Sequence, residues 1–318
     1  MRSLPLRVYA HAIAVPVALT LTLSVAGCGA AATQKSPKPT ATPAATATPV
    51  PHATVTEVST THHFADSKSG GTVGPCANGD PIIQDNCGVT VTTTCPNGEP
   101  VISGGYTVDD PLAYVSSSYP SGASAWTITA HDEGQDGGSH PVTVTAYADC
   151  LQANFAATIQ NVTSTPNIAA GNSQTVTVSC PQGTSATGGG YRGSYTGPLS
   201  IPSGNGWQAA LRVQTGNTAQ PVVFAMCAAN HVAAASTPSA AKTFKPGDTN
   251  GEITVACPQG QLLVGGGAKV DREAFILTVA ATNDASHWHV VVDGPNSFES
   301  GPGVTATATA YAVCVSVQ

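Results

Sequence analysis

An all-β protein made of three disulfide-closed repeats is what this sequence predicts, on three observations. One skeleton occurs three times: Cys-Pro-x-Gly, a glycine cluster, a Trp strand, then an aromatic residue three positions before a closing Cys. The Trp follows the first Cys by 31, 27 and 31 positions. The flanking segments alternate apolar and hydroxyl side chains with the period of two that marks strands. No amphipathic helical period appears after the N-terminus, and charged residues are only 9% of the chain, so Thr, Ser, Gly and Ala set its surface chemistry.

Each repeat can be followed along the chain. The first reads "VTVTTTCPNGEPVISGGY … SAWTITA … VTVTAYADC", the second "QTVTVSCPQGTSATGGGY … NGWQAALRV … VVFAMC", the third "EITVACPQGQLLVGGGA … SHWHVVV … VTATATAYAVC". Before the first Cys, Val91/Cys95, Val176/Val178/Cys180 and Ile253/Val255/Cys257 share a face. Before the closing Cys, Val144/Ala146/Ala148/Cys150, Val223/Ala225/Cys227 and Ala308/Ala310/Ala312/Cys314 do the same. Both cysteines of a repeat thus point inward, which predicts Cys95–Cys150, Cys180–Cys227 and Cys257–Cys314. Cys76 and Cys87 would close a small loop peculiar to the first repeat. The Trp residues lie on apolar faces as well, Trp126 with Ile128, Trp207 with Ala209 and Leu211, and Trp288 with Val290 and Val292, so they read as core and not as sugar-stacking platforms. Short strand-like lead-ins precede each repeat. The boundaries drawn are 53–157, 158–230 and 231–318. The repeats form either small sandwiches in tandem or a pseudo-threefold β-prism of three sheets.

The stretch "CPQGTSATGGGY" could suggest a phosphate cradle. A P-loop needs Gly-Lys-[Ser/Thr] opening a helix. Here Tyr191-Arg192-Gly193 follows, with no helix-forming stretch. Pro181-Gln182-Gly183 reads as a turn. The glycines that follow it read as a strand approached closely by another group, the Trp ring of the same repeat.

The N-terminus carries its own signal. Arg2 and Arg7 precede an apolar run from about Val8 to Ala26, which ends in Val25-Ala26-Gly27-Cys28. That ending resembles the lipobox of bacterial lipoproteins. The resemblance implies a signal peptide over 1–27, removed before Cys28, with a diacylglyceryl group on the Cys28 sulfur and anchoring by its fatty acyl (palmitate-type) chains. The segment 28–52 is rich in Thr, Ala and Pro and has almost no large apolar side chain. It cannot bury enough surface to offset chain entropy, so a disordered tether is expected. With Cys28 acylated, eight of the nine cysteines remain, an even number that suits disulfides in an exported protein.

Composition excludes some functions. The formal net charge is −7 with no basic patch, which argues against nucleic acid as a partner. Asp132, Glu133 and Asp136 gather in "HDEGQDGGSH" and could ligate calcium through oxygen, but they lack the Asp-x-Asp-x-Asp-Gly spacing. His287 and His289 flank Trp288 on one face and could hold a metal, with His62 and His63 as distant candidates and no evident third ligand. A polar hairpin loop and solvent-facing imidazoles are the plainer readings of these two groups. Catalytic signatures are poor: there is no Gly-x-Ser-x-Gly, no His-Glu-x-x-His and no spare thiol, and Asp109-Asp110 are chain neighbours that rarely address one substrate.

The repeat unit resembles repeats found in many uncharacterised secreted bacterial proteins, over about residues 88–318, and that resemblance carries no activity with it. Immunoglobulin domains share Cys, Trp and Cys, but their Trp lies nearer the first Cys and their Tyr sits two residues before the second. The reading that follows is a non-enzymatic lipoprotein without cofactor, held on the outer face of the bacterial cell membrane. It would present β repeats for binding or adhesion, with carbohydrate or envelope polymer as the ligand. A coat or spacer without ligand, and a hydrolase with a loop-built site, are the alternatives.

Overall fold

The computed structural model describes residues 50–64, 88–110, 113–132, 142–193, 199–213, 220–271, 275–281, 286–294 and 304–318. Cys28, the tether to residue 49, and the Cys76–Cys87 loop lie outside them. All the described secondary structure is antiparallel strand, apart from a single 3-10 turn at Pro96–Gly98.

The first repeat supplies β1 (Ala53–Phe64), β2 (Gly88–Thr94), β3 (Val101–Val108), β4 (Ala113–Pro120), β5 (Ala125–Asp132) and β6 (Val142–Ala153). The second supplies β7 (Thr158–Ser164), β8 (Ser173–Ser179), β9 (Ser185–Arg192), β10 (Leu199–Pro202), β11 (Gly206–Arg212) and β12 (Val222–Ala229). The third supplies β13 (Val232–Ser236), β14 (Ser239–Phe244), β15 (Gly251–Ala256), β16 (Leu262–Val270), β17 (Phe275–Ala281), β18 (His287–Asp293) and β19 (Ala306–Val317).

The strands form three sheets, ordered β1-β6-β3-β17-β18-β15, β2-β5-β4-β9-β12-β7 and β13-β19-β16-β10-β11-β8, with β14 also on β19. Every sheet joins half of one repeat to half of another. β3 pairs with β17, β9 with β4, and β16 with β10. The two halves of a repeat belong to different sheets and enclose a core of their own. In the first repeat, Val144, Ala146 and Ala148 of one sheet meet Trp126, Ile128 and Ala130 of the other, all 0% exposed. The second and third cores gather around Trp207 and Trp288 in the same way. Both architectural readings therefore apply at different scales: each repeat is a small two-layer sandwich, and the three are fused by continuous sheets about a pseudo-threefold axis. Residues 49–318 form a single compact unit.

Local chemistry explains the repeated strand-turn-strand. In the Cys-Pro-x-Gly turns, Glu99, Thr184 and Gln261 donate their backbone N–H to the carbonyls of Pro96, Pro181 and Pro258 at 3.0–3.2 Å. Gly98, Gly183 and Gly260 hold φ of +73°, +84° and +82°, a region costly for any residue with a Cβ. The returning strands β3, β9 and β16 each bulge opposite the closing-Cys strand, at Ile102, Thr187 and Val264.

Disulfides join Cys95–Cys150, Cys180–Cys227 and Cys257–Cys314, with Cα separations of 5.6, 5.6 and 5.7 Å. They tie the two layers of each sandwich together. The cores are rich in Val and Ala, which bury modest area at about 25 cal/mol per Å². Closing a loop of about 55 residues contributes roughly 4 kcal/mol in the chain-entropy picture. Reductant is therefore expected to lower Tm by more than about 10 °C in a thermal melt. An unchanged Tm with thiols verified free would contradict this.

Candidate functional site

The glycine clusters build the molecule's centre, and each position in a cluster serves a different contact. A Cβ on Gly104, Gly189 or Gly266 would lie 2.3–2.5 Å from the indole of Trp126, Trp207 or Trp288. A Cβ on Gly105, Gly190 or Gly267 would strike a backbone oxygen of the adjoining repeat, that of Val279, Ser118 or Ser200, at 1.8–2.1 Å. Ahead of these stand Ser103, Gly188 and Gly265, which meet at the axis. Cβ atoms on the two glycines would fall 2.9 and 2.5 Å from the Ser103 side chain. Only one of the three positions has room for a side chain, and the first repeat has it.

Past the glycines, Tyr106, Tyr191 and Ala268 take equivalent places around a cavity of about 20 Å³, room for a single water. The two phenols hydrogen-bond each other, and burial pushes both well above their ordinary pKa. Tyr191 Oη donates onward to the Val115 carbonyl at 2.9 Å.

The indoles show where the threefold pattern breaks. Trp126 Nε1 donates to Ser118 Oγ at 3.1 Å, and Trp207 Nε1 to Ser200 Oγ at 2.9 Å. The third repeat has Val279 at the equivalent place, and the buried Trp288 Nε1 has no partner. An unsatisfied buried donor costs about 1–3 kcal/mol. Ser118→Val is accordingly expected to lower stability by roughly that amount, and Val279→Ser to raise it by about 1 kcal/mol after its lost apolar burial. Chemical denaturation of the two variants checks this. A fall in both would contradict it.

A second break lies at the junction of the first and third repeats. Glu57 of β1, Asp149 of β6 and Ser103 of β3 are consecutive cross-strand neighbours in one row. Asp149 and Ser103 are each 1% exposed. Neither oxygen of Asp149 has a hydrogen-bond partner, nor do Ser103 Oγ and Glu57 Oε2. Burial is the main cause of the raised pKa values, about 7 for Asp149 and about 8 for Glu57. The Asp149 charge adds to the rise at Glu57, and the backbone of Ala281 in the third repeat partly counters it. The Ser103 hydroxyl lies close enough to lower the Asp149 value somewhat, without a well-aligned hydrogen bond. At the other two junctions, Met226 faces Gly188 and Val313 faces Gly265. The fold is therefore compatible with apolar side chains where the first repeat has an acid.

The sheets also carry cross-strand hydroxyl pairs. Thr61 and Thr145 lie 3.0 Å apart, Thr92 and Thr127 2.8 Å, and Thr243 and Thr307 3.3 Å, oxygen to oxygen. His63 Nδ1 meets Thr143 Oγ1 at 3.0 Å, and Gln208 donates to Thr177 at 3.0 Å. Cations lie over rings beside two of the glycine clusters: Arg192 over Tyr119, itself stacked on Phe224 at 5.3 Å, and Lys269 over Tyr311.

The residues singled out from sequence are scattered. His287 is exposed beside Ser286, and the half-buried His289 has Nε2 3.9 Å from Glu252 Oε1. The Asp132 side chain, Glu133 and Asp136 lie outside the described residues. Among the described residues, no three His, Cys, Asp or Glu gather to hold a metal. Trp126, Trp207 and Trp288 are core residues at 0, 1 and 0% exposure. Asp109 Oδ1 accepts the backbone N–H of Thr143 at 2.6 Å, a contact that extends the end of the β3–β6 ladder. Sequence reasoning missed two groups. One is the Glu57–Asp149–Ser103 row, which was detectable by setting Asp149 beside Met226 and Val313. The other is a fully buried pair, Ser116 Oγ and His131 Nε2 at 2.9 Å. No protein-family model matches the chain, and no curated protein matches it.

Proposed function

We infer that this chain is a non-enzymatic binding or adhesion module, carried on an acylated Cys28 at the outer face of a bacterial membrane, and that its ligand is a neutral glycan or envelope polymer. The observation that carries the ligand class is the set of exposed cross-strand hydroxyl pairs, Thr61–Thr145 and Thr243–Thr307 among them, on sheets braced by three disulfides. Neighbouring strands lie about 4.8 Å apart, so such pairs set out donors and acceptors in a fixed array. A polyhydroxyl chain can match such an array with little ordering cost on the protein side. The acidic balance of the chain disfavours anionic polymers. The lipobox resemblance at Cys28 supports the location. Among the described residues no helix is long and apolar enough to cross a membrane.

The test is a glycan array together with pull-down on isolated envelope polymer, using wild type and the paired variants T61V/T145V and T243V/T307V. Binding that falls at least tenfold in a paired variant of unchanged Tm is the expected result. Absence of binding to every glycan and polymer would leave a spacer or coat role in its place. Mass spectrometry of the membrane-extracted protein should find a diacylglyceryl group on Cys28. An intact, unlipidated precursor would refute the anchoring.

A further inference from the structure

The polar row at the junction of the first and third repeats carries more than a packing role. Four oxygens with no hydrogen-bond partner gather there: both of Asp149, Glu57 Oε2 and Ser103 Oγ. They come from three adjacent strands at directly opposed positions, where side chains approach within about 5 Å at Cβ. Leaving such groups without partners is costly, and the fold does not require them, since Met226 and Val313 serve at the equivalent places. Ser103 is also the one side chain admitted at the crowded axis, where the other repeats have glycine. Asp149 and Ser103 thus depart from the repeat pattern, and with Glu57 opposite Asp149 they gather oxygen ligands at one spot.

We propose that Glu57, Asp149 and Ser103 form a binding site for one hard divalent cation of the calcium class, within the first repeat at the face it turns to the third. Two carboxylates and a hydroxyl offer oxygen only, the ligand set that calcium takes at about 2.3–2.6 Å. Nitrogen and sulfur ligands are absent from the row, so zinc is disfavoured. The cation neutralises both acids and gives their oxygens partners, and it ties β1, β6 and β3 together beside Ala281 of β17.

The test uses the full chain at pH 8, first stripped with EDTA and then titrated with CaCl2, and in parallel with TbCl3 followed by luminescence. Wild type is expected to bind one Ca2+ per chain by calorimetry and to gain about 5 °C in Tm at saturation. Asp149→Met and Ser103→Gly each install a residue found at the equivalent position of another repeat, so both variants should fold. Asp149→Met should abolish the Ca2+-dependent gain, and Ser103→Gly should weaken affinity about tenfold. Absence of any Ca2+ or Tb3+ effect on wild type would overturn the proposal. Undiminished binding in Asp149→Met would also overturn it and would place the cation elsewhere, with the Asp132–Asp136 loop as the next candidate.

Discussion

Gly189→Val is expected to abolish folding outright. The added Cβ alone would stand 2.3 Å from Trp207 Cγ and 2.4 Å from the Phe224 carbonyl oxygen. Trp207 is 1% exposed and fills the centre of the second core, so its ring has nowhere to move. Phe224 belongs to β12, which is paired on both sides, with β7 and β9, so its carbonyl cannot retreat without breaking the sheet. Ordinary overpacking costs about 1–3 kcal/mol, but a clash with paired backbone exceeds that range and approaches the whole stability of a domain, about 5–15 kcal/mol. Gly183→Ala provides the contrast. Nothing lies within 4 Å of its Cβ, and only its φ of +84° is at stake, so a loss of about 1 kcal/mol is expected. Near-ultraviolet circular dichroism and the yield of purified protein distinguish the two. A Gly189→Val protein with wild-type spectrum and Tm would refute the assignment of that glycine to Trp packing.

The second large effect concerns acidity. In metal-free buffer, wild-type stability should fall as pH rises from about 5 to about 8, and Asp149→Met should remove roughly half of that fall, leaving the part that burial of Glu57 causes. Asp149 and Glu57 hold their protons to about pH 7 and about pH 8 when folded, against ordinary values of 3.8 and 4.5. The folded state therefore binds more protons than the unfolded chain throughout that window. Stabilisation is complete below the unfolded values and is lost progressively until pH passes the folded ones. Each pH unit costs at most about 1.4 kcal/mol per group, so Asp149 alone accounts for up to roughly 4 kcal/mol. Methionine at 149 also removes the charge that raises Glu57. The variant should thus be more stable than wild type at pH 8, and the gap should narrow towards pH 5. Thermal melts across pH in EDTA read this directly. A flat wild-type profile, or a variant weaker at pH 8, would contradict it.

The cores could be read from sequence because strand alternation reports which face is buried. Val144, Ala146, Ala148 and Cys150 alternate with hydroxyl or polar residues, and that face packs on Trp126. Alternation does not report which strand lies alongside. The pairing of β3 with β17 joins Thr107 to Thr278, 171 residues apart, and no local signal specifies it. Choosing between separate sandwiches and a prism needed the glycine contacts at the axis, such as Gly267 against Ser200 of another repeat. Asp149 was hidden for the same reason. By alternation it lies opposite Cys150, on the face of Thr145 and Tyr147, which are partly exposed. It is buried at 1% exposure in the assembled molecule, beside Glu57 and Ser103 on the neighbouring strands. The hydroxyl pairs were foreseeable as composition but not as partners, since register is a property of two strands and not of one.

Cross-linking β3 to β17 tests the shared sheets most directly. The Thr107 and Thr278 hydroxyls lie 3.2 Å apart at directly opposed positions, within the reach of a disulfide. T107C/T278C should oxidise spontaneously, and peptide mapping should find residue 107 bonded to 278 beside Cys95–Cys150, Cys180–Cys227 and Cys257–Cys314. A folded double variant that keeps both new thiols free under oxidising conditions would show that the first and third repeats do not share a sheet.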